Sequence, residues 1–317
     1  MKAEPGAADW PVHLVVTCTN RKTRVVPDRL RLGELREQRP GQRFAAWTHR
    51  LSTSVVDRIA AVDLYAGEHW QIARNLPVSL QQPTNLWVCS AGYGLIAADT
   101  PISPYAATFT TGEADAAGST PAAMRDWWSR LGGWTDAGRR TPRSFTALAR
   151  QNPQATIVAV LSEAYLRACA DDLRHAAACL ADRQQLAVIG PSGRCPEIDD
   201  LLVPVTAALR PVVGGSLQAL NVRAAAHLFA ASADDLSSAT LRKLAEQATA
   251  AAPPDLSRRS GGQRLTDNAV RDYITGHLAN GPATATRLLR QLRQAGQSCE
   301  QSRFRALFTE VAAQVRP

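Results

Sequence analysis

TIVAVLSEAYLRACADDLRHAAACLADRQQLAVIG, residues 156–190, reads as a complete strand–helix–strand unit. TIVAVLS (156–162) and LAVIG (186–190) are brief apolar runs rich in β-branched residues, and SEAYLRACADDLRHAAACLAD between them carries helical periodicity. An unbroken apolar run suits a strand covered on both faces, and a helical crossover returns the chain to the same end of a sheet. Two earlier runs, HLVVTC at 13–18 and LWVCSA at 86–91, have the same character, and GEHWQIARNL at 67–76 supplies another helix. The fold class that follows is α/β: a mainly parallel sheet with helices on both faces.

Ligands of such sheets sit beyond the carboxyl ends of the strands. Here those ends carry small polar residues: Thr19 and Asn20, Ser90 to Gly94, Ser162 and Glu163, and Pro191 to Gly193. GGSLQALNVRAAAHLF at 214–229 reads as a glycine turn with Ser216 near a helix start, putting Asn221 and Arg223 on the first turns. The stretch 100–150, rich in Gly, Pro, Ala and Trp, reads as an insertion or lid with one or two helices.

The 317 residues, 45% of them hydrophobic, suffice for one large domain and a small one. With no apolar run of about 18 residues and no signal-type N-terminus, a cytoplasmic location is expected. Six scattered cysteines form no CxxC pair, so neither a disulfide framework nor a zinc site is expected. No P-loop or dinucleotide fingerprint occurs, and no cofactor or metal is called for. The net charge of +8 is unevenly spread, since residues 258–317 hold ten Arg against four acids. That concentration is expected of a phosphate-binding module. The composition divides the chain into an α/β domain (1–245), a linker (246–262) and a second domain (263–317).

In the second domain, TDNAVRDYITGHL, ATATRLLRQLRQ and EQSRFRALFTEVAAQV each present an apolar helical face. The short AGQSC turn between the last two gives a helix-turn-helix pattern. Arg287, Arg290, Gln301, Ser302, Arg303 and Arg305 are then the expected DNA contacts, the last four near the start of a recognition helix. A three-helix packing or dimerisation module is the alternative. The stretch resembles short winged-helix-like modules of bacterial proteins, and the resemblance implies DNA binding.

At the first strand exit stand Asn20, Arg21 and Lys22; then come Asp63, Tyr65, Glu68 and His69, then Ser90, Tyr93 and Gly94, then Ser103 and Tyr105. Over roughly residues 12–230 this ordered set resembles a superfamily that includes peroxide-stress proteins of the YaaA type and the lysine-adding domain of archaeosine synthases. Cys18 and Lys22 keep the spacing of the latter's Pro-Cys, three residues, Lys-Pro-Tyr pattern, while Thr17 stands for its first Pro and Thr23-Arg24 for Pro-Tyr. The resemblance implies a uracil-DNA-glycosylase-like fold. Joined to a basic tail, it implies a DNA N-glycosylase that flips and excises a modified base, of the kind bacteria use against phage DNA carrying, for example, glucosylated hydroxymethylcytosine.

Cleaving an N-glycosidic bond builds positive charge on the sugar, which a carboxylate stabilises. Asp63 and Glu68 are the candidate acids, and His69 would donate a proton to the leaving base. Tyr65, Tyr93 and Tyr105 are candidates to stack a flipped base, or else are core tyrosines. Arg21 and Lys22 would anchor phosphate or sugar, Asn20 and Ser90 would read a base edge or sugar hydroxyls, and Gly94, Ser103, Ser192, Asn221 and Arg223 complete the expected binding set. Two other readings stay open: a non-catalytic DNA-binding regulator or stress protein, and a base-modifying transferase of the archaeosine-synthase type.

Overall fold

The computed structural model of the protein describes residues 11–135, 142–193, 195–253, 263–281 and 283–315. These fall into two compact units, residues 1–253 and 254–317.

The first unit is built on strands β1 (Val12–Thr17), β2 (Thr84–Ser90), β3 (Gly94–Ala97), β4 (Thr156–Val160), β5 (Leu186–Gly190) and β6 (Leu202–Pro204). They form one sheet in the order β3-β2-β1-β4-β5-β6. Every neighbouring pair is parallel except β2 with β3. β1 is central, with Val12 opposite Thr84 on one side and Thr156 on the other. All six of its residues are buried, which is what an apolar run without alternation requires. The four runs quoted from the sequence are the four inner strands. The two missed strands are the edges: β3 hairpins back on β2 after Ala91–Tyr93, and β6 is three residues ending in proline.

Around the sheet lie α1 (Pro40–Ser52), α2 (Glu68–Ala73), α3 (Pro121–Gly132), α4 (Phe145–Gln151), α5 (Glu163–Cys179), α6 (Leu220–Ala231) and α7 (Ser238–Ala250). In α5, Leu166, Cys169, Ala170, Leu173 and Ala177 are buried at the three-to-four-residue spacing of an amphipathic helix. The stretch 100–150, expected as an insertion or lid with one or two helices, holds the two helices α3 and α4, and both bury side chains in the core rather than forming a lid. α3 buries Met124, Trp127, Trp128 and Leu131, and Trp127 Nε1 donates to the Ala91 carbonyl at 2.8 Å. Asp172 on α5 accepts from Trp128 Nε1 and from the amides of Phe145 and Thr146, pinning α3 and the start of α4 to α5. Residues 136–141 of that stretch lie outside the described residues. α7 continues to Ala250, inside the segment expected as linker; residues 254–262 of that segment lie outside the described residues.

The second unit consists of α8 (Asp267–Ala279), α9 (Ala285–Gln294) and α10 (Gln301–Val315), with Gln263–Arg264 paired parallel to Gln297–Ser298. Thr266 and Thr284 cap the first two helices by accepting from the amides of Ala269 and Arg287. Val270, Ile274, Leu288, Leu289, Leu292, Phe304, Leu307 and Val311 form its core. At roughly 1.5–3 kcal/mol for each large apolar side chain taken from water, this small core holds three helices that would be marginal alone. Among the described residues, no helix is long and apolar enough to cross a membrane.

Candidate functional site

The exit of β1 is sewn to the segment before α2 by backbone pairing. Thr23 N donates to the Leu64 carbonyl at 2.8 Å and Ala66 N to that of Arg21 at 3.0 Å, with a β-bridge between Lys22 and Tyr65. Thr19 Oγ1 adds a bond to the Ala66 carbonyl at 3.0 Å. Two motifs more than forty positions apart thereby become one surface.

Lys22 is half-buried on that surface. Its Nζ donates to the Thr19 carbonyl at 2.7 Å and lies 4.8 Å from the ring centre of Tyr105 and 5.7 Å from that of Tyr65. Burial lowers its pKa from the ordinary lysine value, against the opposing influence of Cys18 and Asp115. Tyr65, Tyr93 and Tyr105 are themselves core residues, all three buried, so they offer no free face for a base to stack on and the alternative of core tyrosines holds. Ser90 Oγ accepts from the amides of Gly92 and Tyr93, which occupies both its lone pairs, so its hydroxyl donates to Tyr105 Oη at 2.6 Å. Tyr105 Oη then donates onward to Tyr65 Oη at 2.8 Å. Tyr93 Oη accepts from the amide of Ser103 at 3.2 Å. Burial pushes the Tyr65 and Tyr105 hydroxyls far up and that of Tyr93 up to about 12, so all three stay protonated. Gly92 is required here because a Cβ would stand 2.4 Å from the Tyr105 ring. Gly94, buried with a φ of +76°, turns the chain from β2 into β3.

The second half of the site is His69 and Glu68 at the start of α2. Thr17 Oγ1, the last side chain of β1, is 3.3 Å from His69 Nε2. Burial lowers the His69 pKa, opposed by backbone hydrogen bonds at Thr17 and Gln218, so the imidazole is neutral near pH 7. Glu68 accepts from Arg223 Nη2 at 2.7 Å and Nε at 3.1 Å, and from Ser216 Oγ at 2.8 Å. The Arg223 hydrogen bonds, then that of Ser216, hold its carboxyl below the usual glutamate range. Arg223 lies across Gly215, where a Cβ would sit 2.2 Å from its Nε, and Gly215 has a φ of +76°. The glycine turn foreseen at 214–216 therefore exists to let an arginine reach Glu68.

The structure brings together Tyr65, Ser90, Tyr93, Ser103 and Tyr105 in one hydrogen-bonded cluster, with Lys22 over its rings, and bonds Glu68 to Arg223 and Ser216, while the neighbouring His69 is bonded to Thr17. Arg21 is exposed beside Gly67 and Asn20 is exposed next to it. The other expected residues stand apart. Asp63 is 61% exposed and faces Arg74 at 3.6 Å. Asn221 Nδ2 donates to the Leu161 carbonyl at 2.7 Å, fixing α6 to the end of β4. Ser192 lines a different hollow of about 270 Å³ with Asp199 and Arg242. Three residues not foreseen join the site: Thr17, Ser216 and Tyr165, whose Oη is 3.0 Å from Cys18 Sγ. Tyr165 was findable, because it falls on the first turn after a strand end.

In the second unit a cleft of about 920 Å³ opens between α9 and α10, with Leu289 and Phe304 among its apolar residues and Arg290, Arg293, Gln301 and Arg305 among its polar ones. Of the expected DNA contacts, Arg290, Gln301 and Arg305 line it. Arg287 stands at the N-terminus of α9. Two others are used within the fold: Arg303 pairs with Asp267 at 2.6 Å and donates to the Leu265 carbonyl, and Ser302 Oγ donates to Glu300. Among the described residues, no group of three or more His, Cys, Asp or Glu is placed to hold a metal ion. No protein-family model, curated protein or solved structure matches the chain.

Proposed function

We propose that the first unit is a DNA N-glycosylase acting on a modified base, and that the second unit brings it to DNA as a helix-turn-helix module. The observation that carries this reading is the neutral His69, held at the end of β1, at the start of the same helix whose first residue, Glu68, is an anionic carboxylate fixed by Arg223. Departure of a base leaves positive charge on the sugar, which Glu68 is oriented and charged to stabilise. His69, uncharged at neutral pH, is suited to take a proton from an attacking group rather than to give one to the leaving base, reversing the role expected from its position alone. The exposed Arg21 and Asn20 at the exit of β1 support contact with a nucleotide and its flanking phosphate. The parallel sheet with polar strand exits is the arrangement that the uracil-DNA-glycosylase likeness implies.

A non-catalytic DNA-binding reading has one observation of its own: both Glu68 oxygens are already engaged, and Asp63 faces Arg74. The two separate on product release. Incubated with genomic DNAs carrying ordinary, hydroxymethylated and glucosylated cytosine, the glycosylase frees base from one DNA only, leaving abasic sites that alkali cleaves, and His69→Ala abolishes release with binding retained. Tight binding without free base from any of the three makes the protein a regulator.

A further inference from the structure

Only three of the 36 basic side chains are lysines, Lys2, Lys22 and Lys243; the other 33 are arginines. One of the three stands in the tyrosine cluster, a site where an arginine would supply the same cation over the same rings and more hydrogen bonds. What lysine alone offers is an amine that loses its charge when desolvated. Burial favours that loss, and among the described residues no carboxylate is bonded to the amine: the hydrogen bond of Nζ goes to a neutral carbonyl, that of Thr19, while the faces of Tyr65 and Tyr105 are what favours the charged form. Of the two groups that oppose it, Cys18 lies 3.0 Å from Tyr165 Oη, and Asp115 accepts from the Gly33 amide at 2.9 Å and lies 3.8 Å from Arg31. An amine that donates one N–H to Thr19 keeps its lone pair for another partner.

We infer that Lys22 is a nucleophile that forms an imine with C1′ of the sugar from which the base departs. This rests on the glycosylase reading of the same site and deepens it. The amine nitrogen bonds to C1′ as the N-glycosidic bond breaks, and that electron pair leaves with the base. The C1′–O4′ bond then opens to give the C1′=N double bond. The two amine protons end on the departed base and on O4′. Water hydrolyses the imine, returning the amine and an abasic aldehyde. No oxidant, reductant or metal enters the balance. With an abasic site already present, the same amine condenses with the aldehyde and releases water.

The test is borohydride reduction, which converts the imine to a stable secondary amine, applied to the full-length protein. Two duplexes are used: one carries a preformed aldehydic abasic site, the other the modified cytosine from which base is released. With wild type, a protein–DNA adduct forms on the abasic duplex and peptide mass mapping assigns it to Lys22, easily told from Lys2 and Lys243. Lys22→Gln and Lys22→Arg lower the adduct on the order of tenfold or more. Thermal melting checks that both variants fold. Lys22→Met is a second fold control: replacing a desolvated amine by an apolar side chain of similar length leaves melting no lower than wild type. Wild-type adduct no greater than that of Lys22→Gln, or an adduct on another amine, overturns the inference. If base is nevertheless freed from the modified duplex, the glycosylase reading stands without it. A Lys22 adduct on the abasic duplex with no base released from any DNA sinks the glycosylase reading, and retains the amine as a trap for sugar aldehydes.

Discussion

The exit of β1 and the cleft between α9 and α10 are both rich in polar side chains, and they use them in opposite ways. At β1 the polar groups bind one another. Ser90, Tyr105 and Tyr65 form a directed hydroxyl chain, and Glu68 is held by Arg223 and Ser216. In the second unit, Arg290 and Arg305 line an open cleft, while Arg303 is tied to Asp267 and Arg271 to Glu310. On the proposed function, the difference separates two tasks, orientation and attraction. A chemical site fixes its donors and acceptors in advance, because reorganising them during the reaction costs rate. A phosphate-facing surface leaves its charges extended, because its affinity comes from counterions released.

The comparison breaks most visibly at His69. His69→Ala should lower base release by about 10²–10⁴-fold and leave DNA affinity unchanged in a binding titration. A parallel loss of affinity would mean the two regions are one binding surface. Next comes the cleft. Replacing Arg287, Arg290 and Arg305 by Ala should flatten the dependence of log affinity on log salt by about 0.9 for each phosphate left without its arginine. Arg303→Ala, which removes an arginine already paired with Asp267, should leave that slope intact. Equal effects of the two would erase the distinction between extended and structural arginines.

Smaller and confined to stability is Tyr105→Phe. It leaves Tyr65 Oη and Ser90 Oγ without their buried partner, at a cost of about 1–3 kcal/mol in denaturant unfolding of the first unit. The second unit should melt as in wild type. The smallest effect is pH dependence. Burial holds the His69 pKa below its unfolded value of 6.5, so folding favours the uncharged ring. Stability is therefore full above pH 6.5 and declines as pH falls toward the lowered value. Base release should decline over the same acidic range, and stability in His69→Ala should lose that component. Decline instead on the alkaline side would restore His69 to the role of proton donor.

The α/β class was legible because β1, β2, β4 and β5 are unbroken apolar runs, and only burial on both faces tolerates those. The three helices of the second unit were legible from leucine and phenylalanine spacing. β3 was not, since GLIA inside a buried turn has no period to read. The stretch holding α3 misled for a related reason: its tryptophans are surrounded by Gly, Pro and Ala, which look like loop until Trp127 and Trp128 are seen to bond to Ala91 and Asp172.

For the site, the sequence by itself determined which strand ends carry polar residues, because a strand's direction follows from the crossover that precedes it. It named His69, Glu68, Lys22 and the tyrosines for that reason. Only the tertiary structure decided that Arg223, 155 positions after Glu68, clamps it, that Asp63 faces Arg74, and that Lys22 is desolvated. Those outcomes depend on which side chains a packed interior brings within about 3 Å of one another. Distances that short between residues far apart in the chain are set by the summed packing of every element between them, which no local pattern encodes.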